Sequence, residues 1–350
     1  MLNSIYSINR SAFAVPALPR QPPVDPRAAD QPAAPPGKAA LLSWQDLIRT
    51  AHHLLRIPRH PGFLDAIQML HADLLQTLEP ETDSALLALL YPPAIGPQPY
   101  SASHAVISAV AATLAAHCVV AWGPDERRIA GLAALTMNLA MAAQQDELAE
   151  QRQGPTAAQR SVMQGHARRS AQLLVDAGVD DAVWLEAVTH HHDINCGALA
   201  ARSTGQQVAR LLQRCDLFVG QLRPLRPAAA PASAAQAVQA AFLGEDGAPD
   251  EAGMHLVRAL GIYPPGCAVR LAGGEIGIVV RRGLQMNTPW VARIADAQGQ
   301  PCVPALMATA SEGAAAVARA LAPAELSLQV APEPLLALIQ PGPPGSEGVA

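Results

Sequence analysis

The stretches EAVTHHHD at 186–193 and VARLLQRCD at 208–216 carry the most specific chemical pattern in this chain. The first places three consecutive histidines and an acid on a predicted helix. The second places Asp216 among apolar residues on the next predicted helix. Imidazole nitrogen and carboxylate oxygen suit zinc, iron or manganese. The two stretches therefore predict a buried metal centre between neighbouring helices.

Helical phase predicts which of these side chains point inward. Trp184, Val188, His191 and His192 recur at helical spacing, so the last two histidines are expected to extend an apolar stripe into the core. The same reasoning places Asp216 on the buried face of its helix. A buried carboxylate without a partner is costly, so Asp216 is expected to meet a cation, a histidine or a metal.

Two further histidines are candidates for the same site. The pattern TAAQ at 156–159 predicts a capping box, and on the helix that follows, His166 shares a face with apolar residues. His104 lies in the first turn of the segment 101–121, which is apolar nearly all round and is therefore expected to be a central helix.

The composition favours a helical protein of a reducing compartment. Apolar residues make up 50% of the 350 residues, aromatic residues only 3%, and alanine and leucine dominate. The net charge of −5 without a long basic run argues against a nucleic-acid surface. The five cysteines are odd in number and form no CxxC pair. With no secretory signal or membrane span apparent, a cytoplasmic protein is expected.

The chain divides into five predicted parts. They are a disordered leader rich in proline and alanine at 1–42, an N-terminal helical region at 43–100, a helical domain at 101–262, a small strand-rich extension at 263–330 and a flexible tail at 331–350.

Local signals refine these parts. The pattern SWQD at 43–46 predicts a helix start at Ser43. A continuous helix is expected at about 126–150, and short helices at 312–322 and 333–340. The β-branched runs CAVRL, EIGIVV and WVARIAD after residue 261 predict three strands. The histidines of the N-terminal region are interpreted as surface or packing residues rather than ligands; they are His52, His53, His60 and His71.

An ordered set of segments carries a resemblance to a known family. The segments are SASH at 101–104, GH at 165–166, HHD at 191–193, the aspartate of RCD at 216, RPLR at 223–226 and GIYPPGCAVRLAGGEIGIVV at 261–280. This set resembles HD-GYP domains, an all-helical bacterial branch of the HD phosphohydrolases that hydrolyses cyclic di-GMP with two or three metals, commonly iron or manganese. The resemblance covers about 101–282 and implies a mainly α fold.

The resemblance implies a ligand set, residue by residue. His104 resembles the first ligand histidine of the family, and His166 resembles the isolated ligand on the middle helix. His191 and His192 resemble the paired histidines, and Asp216 the terminal metal-binding aspartate.

The segment RPLR resembles the family's RPYR segment. By this resemblance, Arg223 and Arg226 are candidates for binding a phosphate. The alternative is that they cap the end of a helix, because cations suit helix C-termini.

The chain departs from the family at both signature motifs. The HDxGK positions read MNLAM, so Met137, Asn138 and Met141 replace the histidine, the aspartate and the lysine. After HHD, Gly197 fits the motif glycine, but Cys196 replaces its acid and ALAA follows instead of SGYP. A neutral Asn and a soft thioether are poor substitutes for a bridging carboxylate and an imidazole. Met137 and Asn138 are interpreted as core filling or hydrogen-bond partners.

Two functions remain open at this point. The favoured one is a non-hydrolytic HD-GYP-like signalling module that binds a cyclic dinucleotide or a protein partner. The alternative is a metal-dependent phosphohydrolase with a reduced ligand set, in which His166 or His192 assists proton transfer. The surviving ligands could hold one metal such as iron, manganese or zinc, or could form a hydrogen-bonded polar cluster without metal.

Overall fold

Helices dominate the part of the chain that the computed structural model describes, residues 36–194, 198–225 and 229–339. The helices, in chain order, are α1 (Pro36–Arg56), α2 (Phe63–Leu78), α3 (Thr82–Leu90), α4 (Pro92–Ile95), α5 (Tyr100–His117), α6 (Pro124–Thr136), α7 (Ala142–Glu150), α8 (Ala157–Asp176), α9 (Ala182–His190), α10 (Thr204–Leu222), α11 (Ala234–Phe242), α12 (Glu251–Leu260) and α13 (Pro332–Ala337). The expected mainly α fold is confirmed.

The first helix begins earlier than its capping pattern predicted. α1 starts at Pro36, so Ser43 lies inside the helix and the predicted start at Ser43 is wrong. Leu41 and Trp44 are both buried, which means that the apolar stripe of α1 extends before Ser43 and packing holds the extra turn. The predicted leader at 1–42 therefore overlaps a helix, and its residues 1–35 lie outside the described part of the chain.

α5 is the central helix of the body, as predicted. Its side chains are buried around nearly the whole circumference, and α1, α6, α10 and α12 all pack against it. Small side chains allow close approach: a Cβ at Gly131 of α6 would lie 2.2 Å from Nε2 of His71 and 2.8 Å from Oγ1 of Thr113 on α5. His71 is therefore a buried packing residue, in line with its interpretation.

The single helix expected at 126–150 is wrong, because the chain forms two helices there. α6 ends at Thr136, and a short 3-10 turn at Leu139–Met141 leads into α7. Tertiary hydrogen bonds stabilise the break. Ser170 Oγ accepts from the amide of Ala140 at 2.9 Å, and Trp184 Nε1 donates to Thr136 Oγ1 at 2.9 Å. Met137 and Asn138 thus lie at a bend rather than in mid-helix.

An antiparallel sheet of five strands follows the helices. The strands are β1 (Ala268–Leu271), β2 (Ile276–Arg281), β3 (Trp290–Ala295), β4 (Pro301–Ala308) and β5 (Val317–Leu321), in the order β4-β3-β2-β1-β5. The three predicted strands are confirmed as β1 to β3. The helix expected at 312–322 is wrong, because this segment contains β5, which pairs with β1. β4 was not predicted; all of its residues are exposed or half-buried, so the strand has no buried apolar face.

The described chain ends on a short packed helix. Leu335 and Leu336 of α13 are buried, so the prediction that a flexible tail begins at residue 331 is wrong. The short helix expected at 333–340 is confirmed over Pro332–Ala337. Residues 340–350 lie outside the described part. Among the described helices, none combines the length and apolar character that crossing a membrane requires.

Candidate metal centre

Capped helices position the candidate ligands. The side chain of Thr156 accepts from the amide of Gln159 at the start of α8, which confirms the predicted capping box. Asp181 caps α9 by accepting from two amides at 3.0 Å. α8 carries His166, and α9 ends directly before His191. Both caps determine where these helices begin, and the helices bring the imidazoles together.

Three histidines converge on one point. Nε2 of His166 lies 3.2 Å from Nε2 of His191 and 3.2 Å from Nε2 of His192. One ring nitrogen of each histidine lies within 4.8 Å of the others, and we call these residues the three-histidine cluster. Tetrahedral zinc with Zn–N bonds of about 2.0–2.1 Å places its nitrogen ligands about 3.3 Å apart. The spacing around His166 therefore matches that of ligands sharing a metal ion.

The protonation of two of these rings makes a direct hydrogen bond between them impossible. Nδ1 of His166 lies 2.6 Å from the carbonyl oxygen of Met163, and Nδ1 of His191 lies 2.7 Å from that of Val188. Because a carbonyl oxygen only accepts, both Nδ1 atoms carry the proton. Burial lowers the pKa of His191 to about 3 and also lowers the pKa of His166, and both shifts favour the neutral ring. Their Nε2 lone pairs therefore face each other.

Facing lone pairs require a proton donor or a cation. A single transition-metal ion can accept both lone pairs at once. In metal-ligating histidines the other ring nitrogen usually donates to a backbone carbonyl or a carboxylate, as it does here. The cluster consequently has the donor set, spacing and ring orientation that a transition metal requires.

His192 reaches the cluster by a different route from the one predicted. α9 ends at His190, so the expectation that His192 extends the buried helical stripe is wrong. His191 is fully buried as predicted, but His192 lies beyond the helix and is exposed. Outside a helix, consecutive side chains can turn toward one point, and the two ring centroids lie 4.1 Å apart. The exposure of His192 leaves the cluster open to solvent on that side.

Asp216 and His104 form a separate pair. Nε2 of His104 donates to Oδ1 of Asp216 at 2.9 Å, with the two side chains 5% and 25% exposed. Desolvation raises the pKa of Asp216, but the hydrogen bond from His104 and the charge interaction with that ring outweigh it and lower the pKa. Asp216 thus meets a histidine, one of the partners expected for it. Neither residue belongs to the three-histidine cluster.

The residues at the replaced motif positions have structural partners. Met137 and Met141 are buried in the core. Asn138 Nδ2 donates to Oδ1 of Asp216 over a long 3.4 Å. Core filling and a partner hydrogen bond, the two roles expected for Met137 and Asn138, are both observed.

Tyr100 is a neighbour of the site that sequence reasoning missed. Its ring stacks on His104 with centroids 5.6 Å apart and planes inclined by 24°. Desolvation and the charge of Asp216 raise the pKa of its hydroxyl, and Arg223 opposes them. The four-residue spacing from Tyr100 to His104 on one helix was the available signal.

The remaining candidates lie at the edge of the site or outside the described residues. Arg223 is the C-cap residue of α10 and is half-buried, and burial lowers the pKa of its guanidinium. Arg226, Cys196 and Gly197 lie outside the described part of the chain.

Comparison with known proteins gives a partial relationship. The chain is 27% identical over 182 residues to the cyclic di-GMP phosphodiesterase PA4108 of Pseudomonas aeruginosa. The aligned part is 51% of this chain and 44% of the relative, so the chain spans less than half the length of that protein. No family model matches the chain, and no solved structure matches it.

Proposed function

We propose that this protein is a divergent HD-GYP-like signalling protein that binds cyclic di-GMP beside the three-histidine cluster without hydrolysing it efficiently. The ordered motif set in the sequence supports the family, and so does the similarity to a protein named as a cyclic di-GMP phosphodiesterase. The mainly helical fold with open access at His192 is compatible with such a role.

The hydrogen bonds that Asn138 and His104 make with Asp216 support the non-hydrolytic part of the proposal. A two-metal phosphodiesterase needs a carboxylate that bridges the metals, because the two cations together lower the pKa of the water between them. The position of that carboxylate is Asn138, whose amide donates to Asp216 instead of presenting a charge to a metal. His104 also donates to the same oxygen of Asp216. These contacts give Asp216 and Nε2 of His104 protein partners without a second metal.

The cofactor of this proposal is a single divalent transition metal. His166, His191 and His192 would hold it, and an all-imidazole set suits zinc or iron(II) better than manganese. When bound, such a metal supplies a Lewis acid that attracts phosphate oxygen. The backbone carbonyls of Met163 and Val188 orient two of the rings, and the exposed His192 lies on the side where a ligand enters.

A second function is supported by a different observation. His192 is exposed, so water has access to the cluster, and the relative is named for phosphodiesterase activity. On this alternative, the protein hydrolyses cyclic di-GMP with a reduced ligand set, and His192 is the candidate for proton transfer because it is the accessible imidazole.

Calorimetry and product analysis with cyclic di-GMP distinguish the two. We expect the metal-loaded protein to bind cyclic di-GMP, with no linear dinucleotide formed, and the variant His191→Ala to lose binding. His190→Ala is the matched control, because the His190 side chain is 40% exposed and pairs with Asp193 at 2.6 Å outside the cluster. Linear product that disappears in His191→Ala but persists in His190→Ala would establish the hydrolytic alternative. Absence of binding and of product would refute both and leave a protein partner as the ligand.

A further inference from the structure

The outer side of β4 is an open edge of the sheet. β4 lies at one end of the strand order and, within the described part of the chain, forms a ladder with β3 alone. It is the longest of the described strands at 8 residues, and Val303 within it is 85% exposed. An open edge presents a row of unpaired N–H and C=O groups that another strand can pair with.

The register of β4 shows which of its amides face outward. The amide of Thr309, directly after the strand, donates to the carbonyl oxygen of Pro289 on the β3 side at 3.3 Å. Amides alternate between the two sides of a strand, so the amide of Met307 also faces β3, and those of Leu306 and Ala308 face away from it. Among the described residues, no backbone group outside the ladder accepts from these two amides.

Only the first half of this edge carries the usual protection against pairing. Natural edge strands are protected by prolines, bulges or charged side chains. Pro301, Pro304 and a register shift lie in the first half of β4. The second half, Ala305–Ala308, contains no proline, and no charged residue lies between Asp296 and Glu312. The second half is therefore free to pair with an uncharged strand.

A second copy of β4 matches this edge. In an antiparallel pair with a two-fold axis at Met307, Leu306 of each copy lies opposite Ala308 of the other. The outward amides then meet outward carbonyls, and about four hydrogen bonds form between the chains. Pro304, which has no N–H to donate, lies beyond these bonds. An uncharged strand does not repel its own copy, whereas a strand with charged side chains would find no opposite charge on β4.

We infer that β4 binds β4 of a second copy of this chain, antiparallel and centred on Met307, so that the two sheets form one continuous sheet. The contact is isologous, because the same residues contribute from both copies. A contact along one strand edge is small beside the about 1,200–2,000 Å² of a standard interface, so the dissociation constant should be about micromolar. The inference does not depend on the function proposed for the three-histidine cluster.

Cysteine cross-linking of the full-length protein tests the register. At the two-fold axis the two Cα atoms of position 307 would lie about 4.5 Å apart, within the range of about 4.4–6.8 Å that a disulfide spans. Met307→Cys should therefore give a covalent dimer when dissolved oxygen oxidises it. Val303→Cys is the matched control: it is exposed on the same strand, but its two copies would lie about 25 Å apart and should stay monomeric. Both variants carry Cys302→Ser, so that the neighbouring thiol cannot react.

Sedimentation equilibrium tests the association itself. The unaltered protein should change from monomer to dimer between about 1 and 200 μM. Met307→Lys places two like charges opposite each other and should raise the dissociation constant about fivefold, whereas Val303→Lys adds the same charge away from the axis and should leave it unchanged. Circular dichroism verifies the folding of each variant.

Three results would overturn the inference. They are an unaltered protein that stays monomeric over this range, a dissociation constant that Met307→Lys leaves unchanged, and cross-linking of Val303→Cys as complete as that of Met307→Cys. If Met307→Lys does not fold, the two cysteine variants still decide the question, because they add no charge to the strand.

Discussion

Acid should destabilise this protein through His71, a buried histidine that does not belong to the three-histidine cluster. The side chain packs between α2 and α6, and its Nε2 has no hydrogen-bond partner within the described part of the chain. Burial, reinforced by the charge of Arg128, lowers the pKa of His71 from 6.5 to about 4. The folded protein therefore keeps this imidazole neutral in a pH range where the unfolded chain protonates it.

The sign and size of the effect follow from these two pKa values. Because the unfolded state binds the proton more tightly, the contribution of His71 to stability is complete above about pH 6.5 and declines as the pH falls toward 4. A difference of one pKa unit corresponds to about 1.4 kcal/mol. At pH 5 the loss is about 2 kcal/mol, and well below pH 4 it approaches about 3 kcal/mol.

Urea unfolding at about pH 7.5 and pH 5 measures this loss. Other histidines and carboxylates also titrate in this range, so the useful quantity is the difference between the unaltered protein and His71→Leu, in which position 71 no longer titrates. The drop in the free energy of unfolding between the two pH values should be about 2 kcal/mol smaller in the variant. Equal drops in the two proteins would refute the assignment of a buried, neutral His71.

Further predictions concern packing and the replaced motif. Gly131→Ala should destabilise the protein by about 1–3 kcal/mol in urea unfolding, because the new Cβ would lie 2.2 Å from Nε2 of the buried His71. Gly220→Ala in α10 is the matched control and should stabilise by about 0.5–1 kcal/mol, because no atom lies within 4 Å of its Cβ position; a stabilising Gly131→Ala would contradict this packing. Asn138→Asp replaces the amide that donates to Asp216 by a second carboxylate, and the two negative charges repel each other. The melting temperature of this variant should therefore fall when a chelator is present and recover when divalent metal is added. If the melting temperature of Asn138→Asp responds neither to chelator nor to metal, the prediction that the carboxylate introduced at position 138 and that of Asp216 repel each other without metal is wrong.

The elements that could be predicted have local causes. The central helix α5 is apolar nearly all round, and α8 begins at a capping box that the structure contains. The first three strands come from β-branched runs between glycine and proline turns. In each case the determining residues are neighbours in sequence, so periodicity and propensity were sufficient.

The elements that could not be predicted depend on distant partners. Nothing between residues 126 and 150 breaks a helix by propensity except Gly131, which lies inside α6; the bend is stabilised by Ser170 and Trp184 from other helices. Likewise, the composition of Val317–Leu321 is compatible with a helix, and pairing with β1 makes it a strand.

The candidate site shows the same division. Helical phase correctly predicted that His191 and His166 are buried. It failed for His192, because the helix ends at His190 and the phase no longer applies. That Asp216 needs a partner followed from the cost of a buried charge, but the structure was required to show that Nε2 of His104 donates to it. The expected ligand roles of His104 and Asp216 stay predictions.

Metal content tests the central claim, that the three-histidine cluster binds one transition-metal ion. Elemental analysis of anaerobically purified protein should find about one equivalent of zinc or iron per chain, the same amount in His190→Ala and only a trace in His191→Ala. Protein that lacks metal after purification and takes up none when zinc or iron(II) is added would contradict the claim. Metal retained in full by His191→Ala would contradict it as well, because His191 supplies one of the two nitrogen lone pairs that face each other in the cluster.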